Sequence, residues 1–150
     1  MQSTLKEAGK DDIETIVALL KAMSDELQEF ELDTDVTRES VTRSFDEGVN
    51  WFLFADENDH PFGICYLQSV HNYWRAERRF YLGGFFIEPD HRGQGRFRDI
   101  NAQLKKWATV RGGTQIYAHI HKDNEKSLKT FESAGLKADD YLLCVHHWEG

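Results

Sequence analysis

The stretch from Phe80 to His121 constrains the fold more than any other part of the chain. An apolar run, Phe80–Ile87, ends at the loop Glu88-Pro89-Asp90-His91-Arg92-Gly93-Gln94-Gly95, and a helical pattern then runs to about Val110, where Gly112-Gly113 stops it. Gln115–His121 reads as the next strand. A glycine loop that opens a helix leaves several backbone N–H groups unpaired and pointing one way, and the helix dipole adds partial positive charge there. Arg92, Arg96 and Arg98 add full charges. The arrangement suits a pyrophosphate. Two other phosphate loops fit badly. A Walker loop needs Gly-Lys-Ser/Thr where this chain has Gly95-Arg96-Phe97, and a dinucleotide fingerprint needs three glycines at fixed spacing.

The remaining segments fill out an α/β pattern. Ser3–Ala8 reads as a short strand. Asp11 or Asp12 caps a helix to about Gln28, with Ile13, Ile16, Val17, Leu19, Leu20 and Met23 at helical spacing. Thr37 caps a second helix that ends near Gly48. Trp51–Ala55 and Phe62–His71 read as a hairpin around Pro61. The Gly83-Gly84 pair inside the third run marks a bulge or a close backbone approach. Asn124–Ala134 is a helix capped by Gly135, and Tyr141–Trp148 is a final strand. The expected order is β-α-α-β-β-β-α-β-α-β in a single domain over residues 1–150.

Composition bounds the alternatives. With 150 residues, 40% hydrophobic and 29% charged, the chain can bury a core without a disulfide or metal staple. Cys65 and Cys144 lie in apolar runs and read as small core residues. No apolar run approaches the roughly 18 residues of a membrane span, and the N-terminal dozen carries no secretory pattern, so the expectation is a cytoplasmic protein. The formal charge of −8 argues against nonspecific nucleic-acid binding. The charge is uneven: Ser24–Glu47 holds nine acids against two arginines, and His91–Arg111 holds six basic residues against one acid. One segment suits a cation and the other an anion. His119 and His121 share one side of a strand, yet no third metal ligand stands at a fitting distance, so no metal is expected.

The loop Glu88–Gly95 resembles the acetyl-CoA pyrophosphate loop of the GNAT superfamily of N-acetyltransferases. Asn124, Ser127, Phe131, Gly135 and Leu136 match that family's second cofactor motif, an Asn followed by a small residue, an aromatic, and Gly with an apolar residue. The stretch His71–Gly95 is also similar to the spermidine/spermine N-acetyltransferase branch. The likeness lies in Tyr73-Trp74, Tyr81-Leu82, Phe85-Phe86-Ile87, Arg92-Gly93 and Gly95.

The resemblance implies a mixed central sheet, splayed to hold acetyl-CoA as cosubstrate. Its pantetheine arm would bond near Phe85, Phe86 and Ile87, with the Ile87 N–H polarising the thioester carbonyl. The pyrophosphate would sit on Arg92, Gly93, Gln94, Gly95, Arg96, Phe97 and Arg98. Asn124, Ser127 and Phe131 would complete the cofactor site. A small amine, polyamine-like and cationic, would attack the thioester directly, its charge met by Glu31 and Asp33 and by the face of Trp74. A peptide or protein amine, an aminoglycoside, or a non-catalytic acyl-CoA-binding role are the alternatives. A homodimer is a further expectation.

Three positions depart from the family pattern. Phe97 stands where the loop usually closes with a small residue, and it is expected to pack inward. Gly83-Gly84 stands where the polyamine branch carries an acid. Phe131 stands where the family has a tyrosine acid. Tyr141 or Cys144 is a substitute acid; Glu31, Asp33, Asp35, His71, His119 and His121 are candidate bases.

Overall fold

Short apolar runs joined by tight turns pair with their sequence neighbours, and that rule builds most of this molecule. The computed structural model describes residues 3–148. Among them, five strands lie in sequence order across one sheet: β1 (Thr4–Glu7), β2 (Asn50–Ala55), β3 (Pro61–Asn72), β4 (Glu77–Ile87) and β5 (Gly113–Tyr117). β1 to β4 are successively antiparallel, and β5 runs parallel to β4. The helices are α1 (Ile13–Leu27), α2 (Thr34–Asp46), α3 (Arg96–Val110) and α4 (Glu125–Ser133). The parallel pair requires a crossover, and α3 supplies it.

The sheet has a core on each face. On one, α3 buries Phe97, Ile100, Leu104 and Ala108, spaced three and four apart, against Phe52, Phe54, Phe62, Phe80, Leu82 and Ile87. Phe131 of α4 joins them. On the other face, Ile16, Val17 and Leu19 of α1 and Val41 of α2 pack on Trp51, Leu53, Ile64 and Phe86. The alternation along β4 divides its side chains between the two cores.

The helix starts show which polar residues the backbone uses. The Asp12 carboxylate accepts from the Gly9 N–H at 2.9 Å, one turn ahead of α1. The second helix starts three residues before the expected Thr37, because the Asp33 carboxylate accepts from both Asp35 N–H (3.0 Å) and Val36 N–H (3.2 Å). Asn124 caps α4 by accepting from Ser127 N–H at 3.1 Å. At its far end, Leu136 N–H reaches Phe131 O and Gly135 N–H reaches Glu132 O, with Gly135 at φ +97°. That is the glycine stop expected from the sequence.

Two expectations are corrected. The fifth expected strand, Gln115–His121, is displaced: β5 runs Gly113–Tyr117 and stops before His121. The segment Tyr141–Trp148 is not a strand; each of its residues is exposed, and it pairs with none of the five strands. Cys144 is therefore exposed rather than a core residue, whereas Cys65 is fully buried.

Candidate functional site

β4 is bonded along its whole length on one edge and along less than half of it on the other. Its register with β3 extends from Glu77 to Ile87, while its register with β5 stops at Tyr81 opposite Tyr117. From Leu82 to Ile87 the β5-facing edge of β4 therefore lies open. Successive N–H groups of a strand point to opposite edges. Glu88 N–H donates to Phe62 O of β3 at 2.8 Å, so the Ile87 N–H points to the open side.

The bulge that starts the opening has a clear cause. Gly84 takes φ +57°, and a Cβ on Gly83 would run into the Tyr66 ring of β3. Glycine is required at the first by conformation and at the second by space. Tyr66 is thus a site residue the sequence reading missed. Its signal was there, in a Gly-Gly pair beside a strand carrying a large aromatic. Burial raises the Tyr66 phenol, with Tyr81 adding to it; burial likewise raises Tyr81, with Tyr117 adding. Both phenols stay protonated at neutral pH. The rings of Tyr66 and Tyr81 lie 6.1 Å apart, Tyr81 and Tyr117 5.4 Å, and Tyr81 and His119 5.1 Å. They form a row across the sheet at the point where β4 and β5 part.

Beyond the cleft, the loop 88–95 is pinned from three directions. The His91 ring stacks on Phe62 at 4.6 Å and bonds Asp56 through Nε2 at 3.2 Å. Asp56 also accepts from Asn58 and His60 N–H, and these bonds, His60 first, hold its carboxyl below the ordinary range. The Arg92 guanidinium donates through Nε to Ile87 O at 2.8 Å, and its two terminal nitrogens clamp Glu26 of α1 at 2.7 and 2.6 Å. That clamp lowers the Glu26 carboxyl from its usual value. Neither the Asp56 nor the Glu26 anchor was legible in the sequence, since 35 and 66 positions separate the partners.

The loop then delivers the start of α3. Gly95 precedes the helix at φ +72°, with no side-chain cap. The N–H groups of Phe97 and Arg98 have no acceptor among the described residues. The side chains beside them are already engaged. Arg96 is 3% exposed, donating to Gln94 Oε1 and Ser3 Oγ and lying over the Phe62 ring. Arg98 donates to Ser133 O at 3.3 Å. Phe97 packs inward as expected, stacked on Phe131 at 4.4 Å and edge-on to Phe85 at 5.0 Å. The three phenyl rings form the floor beneath the open edge, and Phe131 offers no proton.

Other expected residues lie elsewhere. Trp74 is 94% exposed in the β3–β4 turn, at the opposite end of β4 from Ile87. Asp33 is engaged as the α2 cap, and Glu31 is exposed in the α1–α2 connection. Asp35 is held by Arg38 at 2.8 Å, and the His71 ring lies tilted against Tyr73 at the far end of the hairpin. Tyr141 lies on the C-terminal segment and is 82% exposed. His121 accepts from Asp123 N–H in the turn after β5. Among the described residues, no cluster of three or more side chains is arranged to hold a metal. Nor is any helix long and apolar enough to cross a membrane.

A mixed sheet that parts beside a helix N-terminus, with a glycine loop between them, is the frame of an N-acetyltransferase. The chain belongs to the acetyltransferase (GNAT) family, whose sequence profile matches residues 16–136, and members of this family use acetyl-CoA. No curated protein matches its sequence. Among solved structures, it is similar to a possible acetyltransferase from Clostridium difficile 630, at 18% identity and a TM-score of 0.86 over 100% of both chains. It is also similar to an acetyltransferase from Clostridium acetobutylicum solved with acetyl-CoA, at 17% identity and TM-score 0.74, covering 97% of this chain and 96% of that one. An aminoglycoside acetyltransferase from an uncultured soil metagenomic sample, in complex with sisomicin, shares 12% identity and a TM-score of 0.79 over 99% of this chain and 97% of that one.

Proposed function

We propose that this acetyltransferase moves the acetyl group of acetyl-CoA directly to a primary amine of a small, cationic, polyamine-like acceptor. The observation that carries the reading is the β4–β5 register, which stops at Tyr81 and Tyr117 and leaves the β4 edge open. The pantetheine arm bonds to that edge, and the Ile87 N–H faces the thioester carbonyl, where it stabilises the oxyanion as the amine adds. The pyrophosphate rests on the N–H groups that begin α3, where the helix dipole favours negative charge. Phe85, Phe97 and Phe131 support the arm from below.

Chemistry needs a neutral amine, because a primary alkylamine has a pKa of about 10.4 and is mostly protonated at pH 7. His119, whose ring lies beside Tyr81 where β4 and β5 part, is the residue assigned here to accept that proton. The amine nitrogen adds to the thioester carbon, the C–S bond breaks, CoA leaves as the thiolate, and the second proton, shed as the nitrogen becomes an amide, passes to that thiolate. A thiol pKa near 8.5 makes it a fair leaving group without a positioned acid. Phe131 in place of a tyrosine therefore slows the reaction and does not forbid it. The tyrosine row gives an ammonium group aromatic faces, and Glu31 in the acidic α1–α2 connection adds attraction at longer range.

Release of free CoA, measured with a panel of amines, tests the reading. The expected ranking places a linear polyamine above an aminoglycoside and both above a peptide N-terminus. His119→Ala is expected to lower kcat about 10²-fold with little change in acetyl-CoA affinity. If acetyl-CoA binds and no amine accelerates CoA release, the transfer reading fails.

A further inference from the structure

A guanidinium taken out of water must find acceptors for its N–H donors, so a covered arginine is normally paired. Arg79 of β4 departs from that rule. It is half-buried, and its Nε is sealed from solvent with no acceptor. Among the described residues it makes no hydrogen bond and no ion pair. Its guanidinium lies over the Tyr117 ring, 5.4 Å from the centroid. A ring face steadies the cation but satisfies none of its N–H groups. Other arginines are engaged: Arg38, Arg92 and Arg111 each reach a carboxylate. A polar group covered without a partner calls for an explanation, and for a cation a bound anion is the simplest one.

The place of Arg79 in the fold says what that anion belongs to. Arg79, Tyr81 and Gly83 alternate onto one face of β4, and Gly83 stands opposite Tyr66 at the bulge. Helices α1 and α2 cover this face at Trp51, Leu53, Ile64 and Phe86, with Tyr66 at the border of the covered part. Arg79, Tyr81 and Tyr117 lie outside both cores. The Tyr81 and Tyr117 hydroxyls also have no hydrogen-bond partner among the described residues. The result is an aromatic floor with the bulge, where the β4 edge opens, at one end. At its other end stands a cation whose donors no residue of the floor uses.

We propose that Arg79 anchors an anionic group, carboxylate or phosphate, at the far end of an acceptor whose amine lies at the bulge, so that ω-amino carboxylates and aminoalkyl phosphates form a second class of acceptor. The planar guanidinium can give two parallel N–H bonds to such a group, and a site screened by aromatic rings strengthens them. The inference rests on the transfer reading for its reaction and adds the recognition of the acceptor's far end. The bonds made and broken are those already described, and Arg79 stays charged throughout. A polyamine carries nothing that accepts from Arg79, so this one side chain tells the two classes apart.

The test compares ω-amino carboxylates and aminoalkyl phosphates with diamines of matching length, reading free CoA. Arg79→Gln is expected to lower kcat/KM for the anionic acceptors relative to the diamines by about 10–100-fold, the worth of a charged hydrogen bond. Arg79→Lys is expected to recover part of that ratio. The carboxylate and phosphate arms show which anion the site prefers. A ratio unchanged in Arg79→Gln, or anionic acceptors no better than simple alkylamines of the same length in the parent chain, would overturn the proposal. A second readout needs neither a variant that folds well nor any turnover. The Arg79 Nε–H resonance of the parent chain is expected to shift on titration with an ω-amino carboxylate and not with the matching diamine. No shift with the amino carboxylate would overturn the proposal. A shift without CoA release from any amine would instead leave the anion site standing and count against the transfer reading alone.

Discussion

The two edges of β4 differ in one respect, and the site follows from it. On the β3 side, hydrogen bonding continues to Ile87, and the side chains around it, Phe54, Phe62, Ile64 and Cys65, are sealed from water. On the β5 side, bonding stops at Tyr81, and six residues of main chain face a cleft. The same strand supplies rigidity with one edge and a row of unused donors with the other. Buried backbone groups left unpaired are costly. An edge kept open at the centre of a fold therefore marks a place where a ligand completes the ladder.

The largest effect is expected at the loop beyond the open edge. Gly95→Val forces a β-branched residue to φ +72°, where left-handed backbone costs about 1–2 kcal/mol. Space around that Cβ is open, so the damage falls on the loop's shape rather than on packing. Calorimetry should show acetyl-CoA affinity reduced tenfold or more, with Tm lowered by only about 2–8 °C. Unchanged affinity would detach the loop from the cofactor.

Next comes the bulge. Gly83→Ala drives a methyl into the Tyr66 ring, an overpacking cost of about 1–3 kcal/mol by denaturant unfolding. Combining it with Tyr66→Ala removes the clash, so the double variant should be more stable than the sum of the two single changes predicts. Additive losses would mean the ring does not set the bulge.

A smaller effect is expected at the clamp between Glu26 and Arg92. The pair is partly exposed, so Glu26→Gln should cost about 0.2–1 kcal/mol. Its acid dependence has a fixed sign. The folded Glu26 carboxyl titrates below its unfolded value, so its contribution is present above about pH 4.5 and is lost as pH falls through the lowered value. In Glu26→Gln that part of the acid destabilisation should be missing from an unfolding series between pH 5 and 2. The smallest effect compares the thiols. Burial raises Cys65 well above an ordinary thiol, while Cys144 is exposed. A thiol reagent should therefore modify one cysteine in the folded chain and two in denaturant.

How legible this was in the sequence follows from the range of each contact. Local signals carried well. The apolar periods of α1 and α3, the Pro61 hairpin and the Gly135 stop depend on neighbours within one or two turns, and each appears where those neighbours predict it. The parting of β4 and β5 was expected from the resemblance to the GNAT family, and the Gly83-Gly84 pair itself signalled only a bulge or close approach. Three readings went astray for physical reasons. Tyr141–Trp148 has strand composition, but a strand exists only where an edge receives it, and its own chain holds none in place. Arg96 reads as a loop charge, yet it is buried against Phe62 and Ser3, a contact spanning 93 positions. Asp33 reads as a counter-charge for an acceptor, yet its carboxylate already caps α2. Tyr66 went unnoticed because the Gly-Gly pair signals a close approach without saying which β3 side chain makes it.

Hydrogen exchange at the amides of β4, followed with and without acetyl-CoA, tests the difference between the two edges most directly. The account predicts that Phe85 and Ile87, together with Gly93 to Arg98, gain protection on binding, while Phe86 and Glu88, already bonded toward β3, change little. Protection confined to other parts of the sheet, or equal on both sets of amides, would contradict it.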